Sequence, residues 1–255
     1  MATTEVIETG NSSKSSVEAF AQLLAQQENF EGLRNACIMF FANEGVRRVS
    51  YHHLPPPGAP DFAPSIMVAT HGFPEDWVEK YIREKLYLID PITRLTMSAA
   101  HPIWWTDFNT TFKLSADETR YMRLLADAKI GDGIAIPLFG PHGRNGYAGM
   151  SPAGFERNWS SEQVHRLHLA AQAGHLRYCE ILQDYAPQNV KLSRREQEIL
   201  TWMARGKSNS VIAQILGLSQ NTINTYSRRI FDKLAVTDRV NAALRGLAVG
   251  LIGWG

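Results

Sequence analysis

Over Leu192 to Leu234 the chain reads LSRREQEILTWMARGKSNSVIAQILGLSQNTINTYSRRIFDKL, with apolar residues at helical spacing in three bursts separated by the breakers GKS and GLS. That pattern predicts three helices with two tight joints. The first starts after Ser193, with Glu196 placed to close a capping box, and buries Ile199, Leu200, Trp202 and Met203 before Gly206 ends it. Ser208 or Asn209 caps a second short helix whose inner face is Ile212, Ala213 and Leu216, and Gly217 supplies the turn. Ser219 caps a third, which buries Ile223, Ile230, Phe231 and Leu234 and turns Asn221, Thr222, Asn224, Thr225, Arg228 and Arg229 outward. The segment from Leu192 to Leu251 thus reads as one helix-turn-helix. Short amides and hydroxyls at the start of its last helix suit base edges in a major groove, and Arg228, Arg229 and Lys233 reach bases or phosphates.

The first 189 residues alternate between the two periodicities. Val17–Leu24 and Phe30–Phe41 are helical in spacing, and Arg47–Leu54 (RRVSYHHL) alternates as a strand. PPPGAPDFAP then forces a loop before a second strand at Ser65–Thr70. Pro74 opens a helix through about Lys85, and Ser115–Ala128 reads as another, begun by a capping signal at Ser115 and Glu118. Strands at Gly133–Phe139 and Tyr147–Ser151 flank GPHGRNG. A phosphate cradle would need a helix directly after that loop, so it reads as a hairpin turn. Ser160 or Ser161 caps a long helix to about Tyr185. An antiparallel sheet covered by helices fits this order, giving an α+β chain: a loose tail (1–14), a mixed domain (15–185), a linker (186–190) and a small all-α domain (191–255).

Composition adds an electrostatic division. The chain of 255 residues, 44% apolar, has 26 basic and 25 acidic side chains. From Val190 onward there are ten Lys or Arg against four acids, which leaves 16 against 21 in the rest. A segment of net +6 therefore follows a body of net −5, the layout expected when one domain meets phosphate. No apolar run reaches the roughly 20 residues of a membrane span, and from the polar, acidic start no export signal is expected. Cys37 and Cys179 stand far apart without a C-x-x-C, so a cytoplasmic protein with reduced thiols and no zinc site is expected. His52 and His53 are neighbours on a strand and point to opposite faces, so they cannot chelate together. His165 and His168 lack acidic or Cys companions. No Ser, Cys or paired-carboxylate arrangement suggests catalysis, and no enzyme and no metal are expected.

Between Phe73 and Asp107 aromatic residues crowd together. Trp77 and Tyr81 share a helix face. Asp90, after LYLI and before Pro91, is either a helix cap at the surface or a buried acceptor waiting for a donor.

Glu196, Leu200 and Gly206, with GKS, IAQILGLS, NTINTY and KLAV, resemble the DNA-binding domain of LuxR-class transcription factors. Val211 stands where that family commonly has Glu, and Tyr226 where it commonly has His. The resemblance implies double-stranded DNA as partner, contacted by Lys207, Asn221, Thr222, Asn224, Thr225, Arg228, Arg229 and Lys233. A homodimer on a two-fold symmetric site follows.

Trp77, Tyr81, Asp90 before Pro91, Pro102 with Trp105, and Gly133 opening GIAIP resemble the acyl-homoserine-lactone-binding domain of LuxR-type quorum-sensing receptors. That implies an N-terminal α/β/α sandwich, with its pocket between the sheet and one helical layer. The effector would be an N-acyl-homoserine lactone, with no other cofactor. Trp77 would donate its indole N–H to the lactone carbonyl, Asp90 would accept from the ligand amide, and Tyr81 and Trp105 would wall the head group. Phe73 departs from a common Tyr whose hydroxyl bonds the acyl carbonyl; either Ser151 substitutes or the ligand differs. Lys129 replaces a common glycine. The alternative is a LuxR-like regulator that answers a non-lactone small molecule or a protein partner. A catalytic domain tethered to DNA would have to turn the lactone over. A phosphoacceptor input domain would need an acidic cluster on parallel strands, which the chain lacks.

Overall fold

The structure, a computed structural model, describes residues 14–62, 67–152, 154, 157–185 and 190–253. Apart from Lys14 and Val190, the expected tail and linker lie outside the described residues. The chain divides into two compact units, the first holding the sheet with its helices and the second the C-terminal helices.

In the first unit α1 (Lys14–Ala25) and α2 (Phe30–Asn43) precede β1 (Val46–Leu54) and β2 (Met67–His71). Then come α3 (Glu75–Arg83), α4 (Pro91–Thr96), β3 (Ile103–Trp104), α5 (Phe108–Thr111) and α6 (Ala116–Asp127). The hairpin β4 (Ile134–Leu138) and β5 (Asn145–Pro152) leads into α7 (Ser161–Tyr185). The five strands form one sheet in the order β2-β1-β5-β4-β3. Antiparallel registers align Ser50 with Thr70, Ile136 with Ala148, and Trp104 with Ile134.

Strand alternation separates two faces. Ile134, Ile136, Leu138, Ala148 and Met150 enter a core with Phe20, Leu24, Leu33 and Phe41 of α1 and α2 and with Leu167, Ala170 and Ile181 of α7. Ser50, His52, Tyr147, Gly149 and Ser151 take the opposite parity. His52 packs on Tyr147 and His53 on Tyr178, so the two histidines do face opposite ways.

Three features of this unit depart from the expected elements. The helix opened by Pro74 stops at Arg83, because Lys85 adopts the left-handed region at φ 52°. A fifth strand, β3, is only two residues long. Asp90 caps α4, a helix of six residues that the pattern did not predict.

The second unit contains α8 (Arg194–Ala204), α9 (Asn209–Leu216), α10 (Gln220–Leu234) and α11 (Arg239–Ala248). Ser193 and Glu196 form the expected capping box, Ser208 rather than Asn209 caps α9, and Ser219 caps α10. Gly217 closes α9 at φ 64°, the left-handed conformation glycine adopts without penalty. Ile199, Leu200, Met203, Ile212, Ala213, Ile223, Ile230 and Leu234 are buried, as predicted. Trp202, Leu216 and Phe231 pack against this core while half-buried. The expectation of three helices falls one short: α11, capped by Asp238, lays Ala242 and Gly246 against them.

Candidate functional site

On the sheet face of Ser50, Tyr147 and Ser151, α3, α4 and α6 bring aromatic rings around one carboxylate. The Asp90 carboxylate accepts the Ile92 backbone N–H at 2.8 Å, which caps α4, and the Tyr81 hydroxyl at 2.9 Å. The Tyr121 hydroxyl of α6 also bonds it. Asp90 thus caps a helix and also accepts from two tyrosine hydroxyls. Burial pushes Asp90 up to about 6, against the opposing pull of those three donors. An ionised carboxylate has about four lone-pair sites, so one remains for a further donor.

Trp77 is buried, with its ring 6.4 Å from those of both Tyr81 and Tyr121. Burial and the charge of Asp90 raise Tyr81, Tyr121 and Tyr147 above the ordinary phenol range, so these hydroxyls stay protonated as donors. Trp105 is 4% exposed, and its buried indole N–H is directed at the Tyr147 hydroxyl. Gly133 makes its placement possible: a Cβ there would lie 2.7 Å from the Trp105 ring.

The sequence-derived residues thus fall into two groups. Tyr81 bonds Asp90 and its ring neighbours that of Trp77, and Trp105 is buried against Gly133. Ser151 is fully buried on the same sheet face, where Arg48 approaches its Oγ at 3.5 Å. Phe73 is half-buried just before α3. Tyr121 and Tyr147 escaped sequence reasoning. Tyr121 sits on the inward stripe of α6 with Met122 and Leu125, and Tyr147 alternates with the core residue Ala148. That alternation was the available signal.

Lys129 adopts φ 52°. The position calls for the left-handed region, which explains physically why glycine would suit it. Among the described residues no group of three or more His, Cys, Asp or Glu could hold a metal. Nor is any described helix long and apolar enough to cross a membrane.

The second candidate surface is α10. Asn221, Thr225, Arg228 and Arg229 are exposed, as is Lys207 ahead of α9. Thr222 is half-exposed, with its hydroxyl 2.8 Å from the capping Ser219. The guanidinium of Arg229 lies over the Tyr226 ring at 5.8 Å. Two predicted contact residues are engaged within the unit. Asn209 donates to Asn224 at 2.8 Å, and Lys233 Nζ donates to the buried Glu196 at 2.7 Å. Burial raises Glu196, but Lys233 and the Ser193 backbone N–H and hydroxyl more than offset this and hold its carboxyl below the ordinary range. Sequence reasoning missed the buried Ser227, which donates to the Ile223 carbonyl at 2.8 Å.

Residues 29–178 match the family model described as the autoinducer binding domain, and residues 190–245 match that of the bacterial regulatory proteins, luxR family. The y4qH protein of Sinorhizobium fredii is 33% identical over 183 residues; the match covers 71% of this chain but only 56% of that relative. RpaR of Rhodopseudomonas palustris, a quorum sensing-dependent transcriptional regulator, is 29% identical over 186 residues, 73% of this chain and 75% of its own. The crystal structure of Escherichia coli SdiA aligns with a TM-score of 0.73 at 21% identity, covering 94% of this chain and 98% of that one. A further SdiA structure, in complex with octanoyl-rac-glycerol, aligns at 0.71 and 21%, with coverage of 97% and 100%. The likeness to SdiA establishes the fold.

Proposed function

The chain belongs to the luxR family of bacterial regulatory proteins, with an autoinducer-binding domain ahead of its helix-turn-helix, and we propose that it senses an N-acyl-homoserine lactone beside Asp90. One observation carries this reading: a buried carboxylate with one acceptor site left stands among the rings of Trp77, Tyr81 and Tyr121. An acyl-homoserine lactone offers Asp90 the amide N–H it has room for, and carbonyls to which the indoles of Trp77 and Trp105 can donate. Leaving such groups buried and unpaired costs about 1 to 3 kcal/mol each. Tyr81 holds the carboxylate in place. Ser151 is the candidate partner for the acyl carbonyl in the absence of a hydroxyl at Phe73.

Bound ligand then sets the activity of a homodimer on a two-fold symmetric DNA site, one half-site per helix-turn-helix. Asn221, Thr222 and Thr225 face the base edges, while Arg228, Arg229 and Lys207 reach bases or phosphates. Lys233 serves first as the partner of Glu196. The protein works in the cytoplasm and leaves its ligand chemically unchanged.

Phe73 favours a second reading, an acylated ligand without the lactone ring; SdiA was solved with octanoyl-rac-glycerol. Thermal melts with lactones of graded chain length and with acyl glycerols separate the two. At about a thousandfold excess over Kd the true ligand stabilises by about 4 kcal/mol. If no lactone moves the melting temperature, the lactone reading fails. Mass spectra of extracted ligand, recovered intact after incubation, test the absence of turnover.

A further inference from the structure

The sheet face opposite Asp90 carries a cavity of its own. It has a volume of about 210 Å³ and lies between α2, α7 and strands β1, β2, β4 and β5. Its interior is almost wholly apolar, lined by Leu33 and Phe41 of α2, Val49, Leu138, Ala148 and Met150 of the sheet, and Ala171 of α7. The polar groups that reach inside are already engaged: the Tyr51 hydroxyl and His175 Nδ1 are 2.8 Å apart, and Cys179 Sγ lies 3.8 Å from His175 Nε2. Burial pushes the Cys37 thiol up to about 12, so it remains neutral. A guest in this interior therefore finds no unmet hydrogen-bonding demand and has to be hydrocarbon. Gly174 keeps the space open, since a Cβ there would already press on Cys37 Sγ at 3.1 Å.

The rim is different. Arg34 and His71 are exposed there beside Thr70, and no Asp or Glu lines the cavity. Arg34 makes no ion pair among the described residues. A cavity of about 150 Å³ is enough for one benzene ring, so this one has room for an alkyl chain of about eight carbons. We propose that it is a second ligand site, separate from the autoinducer pocket, which takes a straight-chain aliphatic carboxylate with its tail on Met150 and its head at Arg34. Charge decides the head group: a guanidinium without competing acids recognises a carboxylate, while an alcohol gains nothing from it.

The test titrates octanoate into the full-length protein labelled with methyl-¹³C methionine. The Met150 signal, assigned through Met150→Leu, moves saturably, while that of Met122, on the Tyr121 helix, stays. Arg34→Gln at the exposed rim weakens octanoate about fivefold and leaves 1-octanol unchanged. Ala148→Leu fills the space and abolishes both; Cys37→Leu does the same from the helical wall should Ala148→Leu fold poorly. Asp90→Asn changes neither. A Met150 signal that never moves overturns the proposal. So does octanoate binding that is lost in Asp90→Asn and kept in the filled variants, which would put the chain in the autoinducer pocket. Equal octanoate affinity in Arg34→Gln overturns the carboxylate assignment.

Discussion

Asp90 is held by three donors yet remains an acid of about 6, and that single value predicts how ligand binding depends on pH. A ligand amide donates far more strongly to the ionised carboxylate than to the neutral acid. Affinity should therefore be constant above pH 7 and fall by about tenfold per pH unit below 6, because each unit of protonation costs about 1.4 kcal/mol. The stability linkage has the opposite sign. A carboxyl whose pKa is raised on folding favours the folded state below its unfolded value, and that contribution is lost as pH rises through 6. Asp90→Asn, neutral at every pH, should then stabilise the ligand-free protein at pH 7.5 by about 2 kcal/mol while losing more ligand response than Trp77→Phe. Urea melts and dose-response curves at pH 5.5 and 7.5 check both halves. An Asp90→Asn variant as responsive as the parent would take Asp90 out of the pocket. Lys129 is a second residue-scale case: Lys129→Gly relieves a left-handed side chain and should raise stability by about 0.5 to 1 kcal/mol in the same melts, after the entropic cost of glycine. Asp90 was legible in the sequence because its neighbours Ile89 and Pro91 announce a boundary. Tyr121 was not, since it looks like any core residue of an amphipathic helix until the fold brings its hydroxyl to Asp90.

At the scale of elements, what the sequence revealed was local. Both capping boxes, Ser115 with Glu118 and Ser193 with Glu196, are closed within four residues and form as read. α11 escaped because its inward positions are small: Ala242, Gly246 and Ala248 make no hydrophobic stripe, though Gly246 lets Leu200 approach within 2.7 Å of where a Cβ would stand. β3, α4 and α5 are too short to show a period. On α10 the structure refines the division of labour among basic residues. Arg228 is exposed, whereas Lys233 reaches back to Glu196 across the joint with α8. Arg228→Ala should therefore keep the melting temperature and lose operator affinity. The loss is about 1 to 3 kcal/mol if a base contact goes, or a salt slope reduced by about one if a phosphate contact goes. Lys233→Ala should instead destabilise the helix-turn-helix by about 1 kcal/mol, the value discounted because its amine is partly in water. Titrations on operator and scrambled duplexes at several salt concentrations, paired with melts, decide the matter. A Lys233→Ala protein of unchanged stability and reduced salt slope would return Lys233 to the phosphates.

For the molecule as a whole, fold class followed from element order, and a few spaced aromatics picked out residues that meet on the Asp90 side of the sheet. The cavity on the other side was invisible in sequence, because α2, α7 and four strands each give it one to several ordinary residues and only their meeting leaves the space. Charge was legible at once: net +6 from Val190 onward and net −5 before it. This asymmetry shapes the last prediction. A single helix-turn-helix of that charge binds any duplex weakly through counterion release, so specificity requires two copies reading two half-sites together. Two chains should occupy one operator. Because about 10 base pairs make one helical turn, inserting about 5 between the half-sites turns them to opposite faces of the DNA, and inserting about 10 restores the facing. Mobility-shift titrations with ligand present should then show steep binding to the native spacing, shallow binding after the half-turn insertion and partial recovery after the full turn. Equal steepness at all three spacings would mean that each chain reads DNA alone, and the homodimer would have to be abandoned as the binding unit.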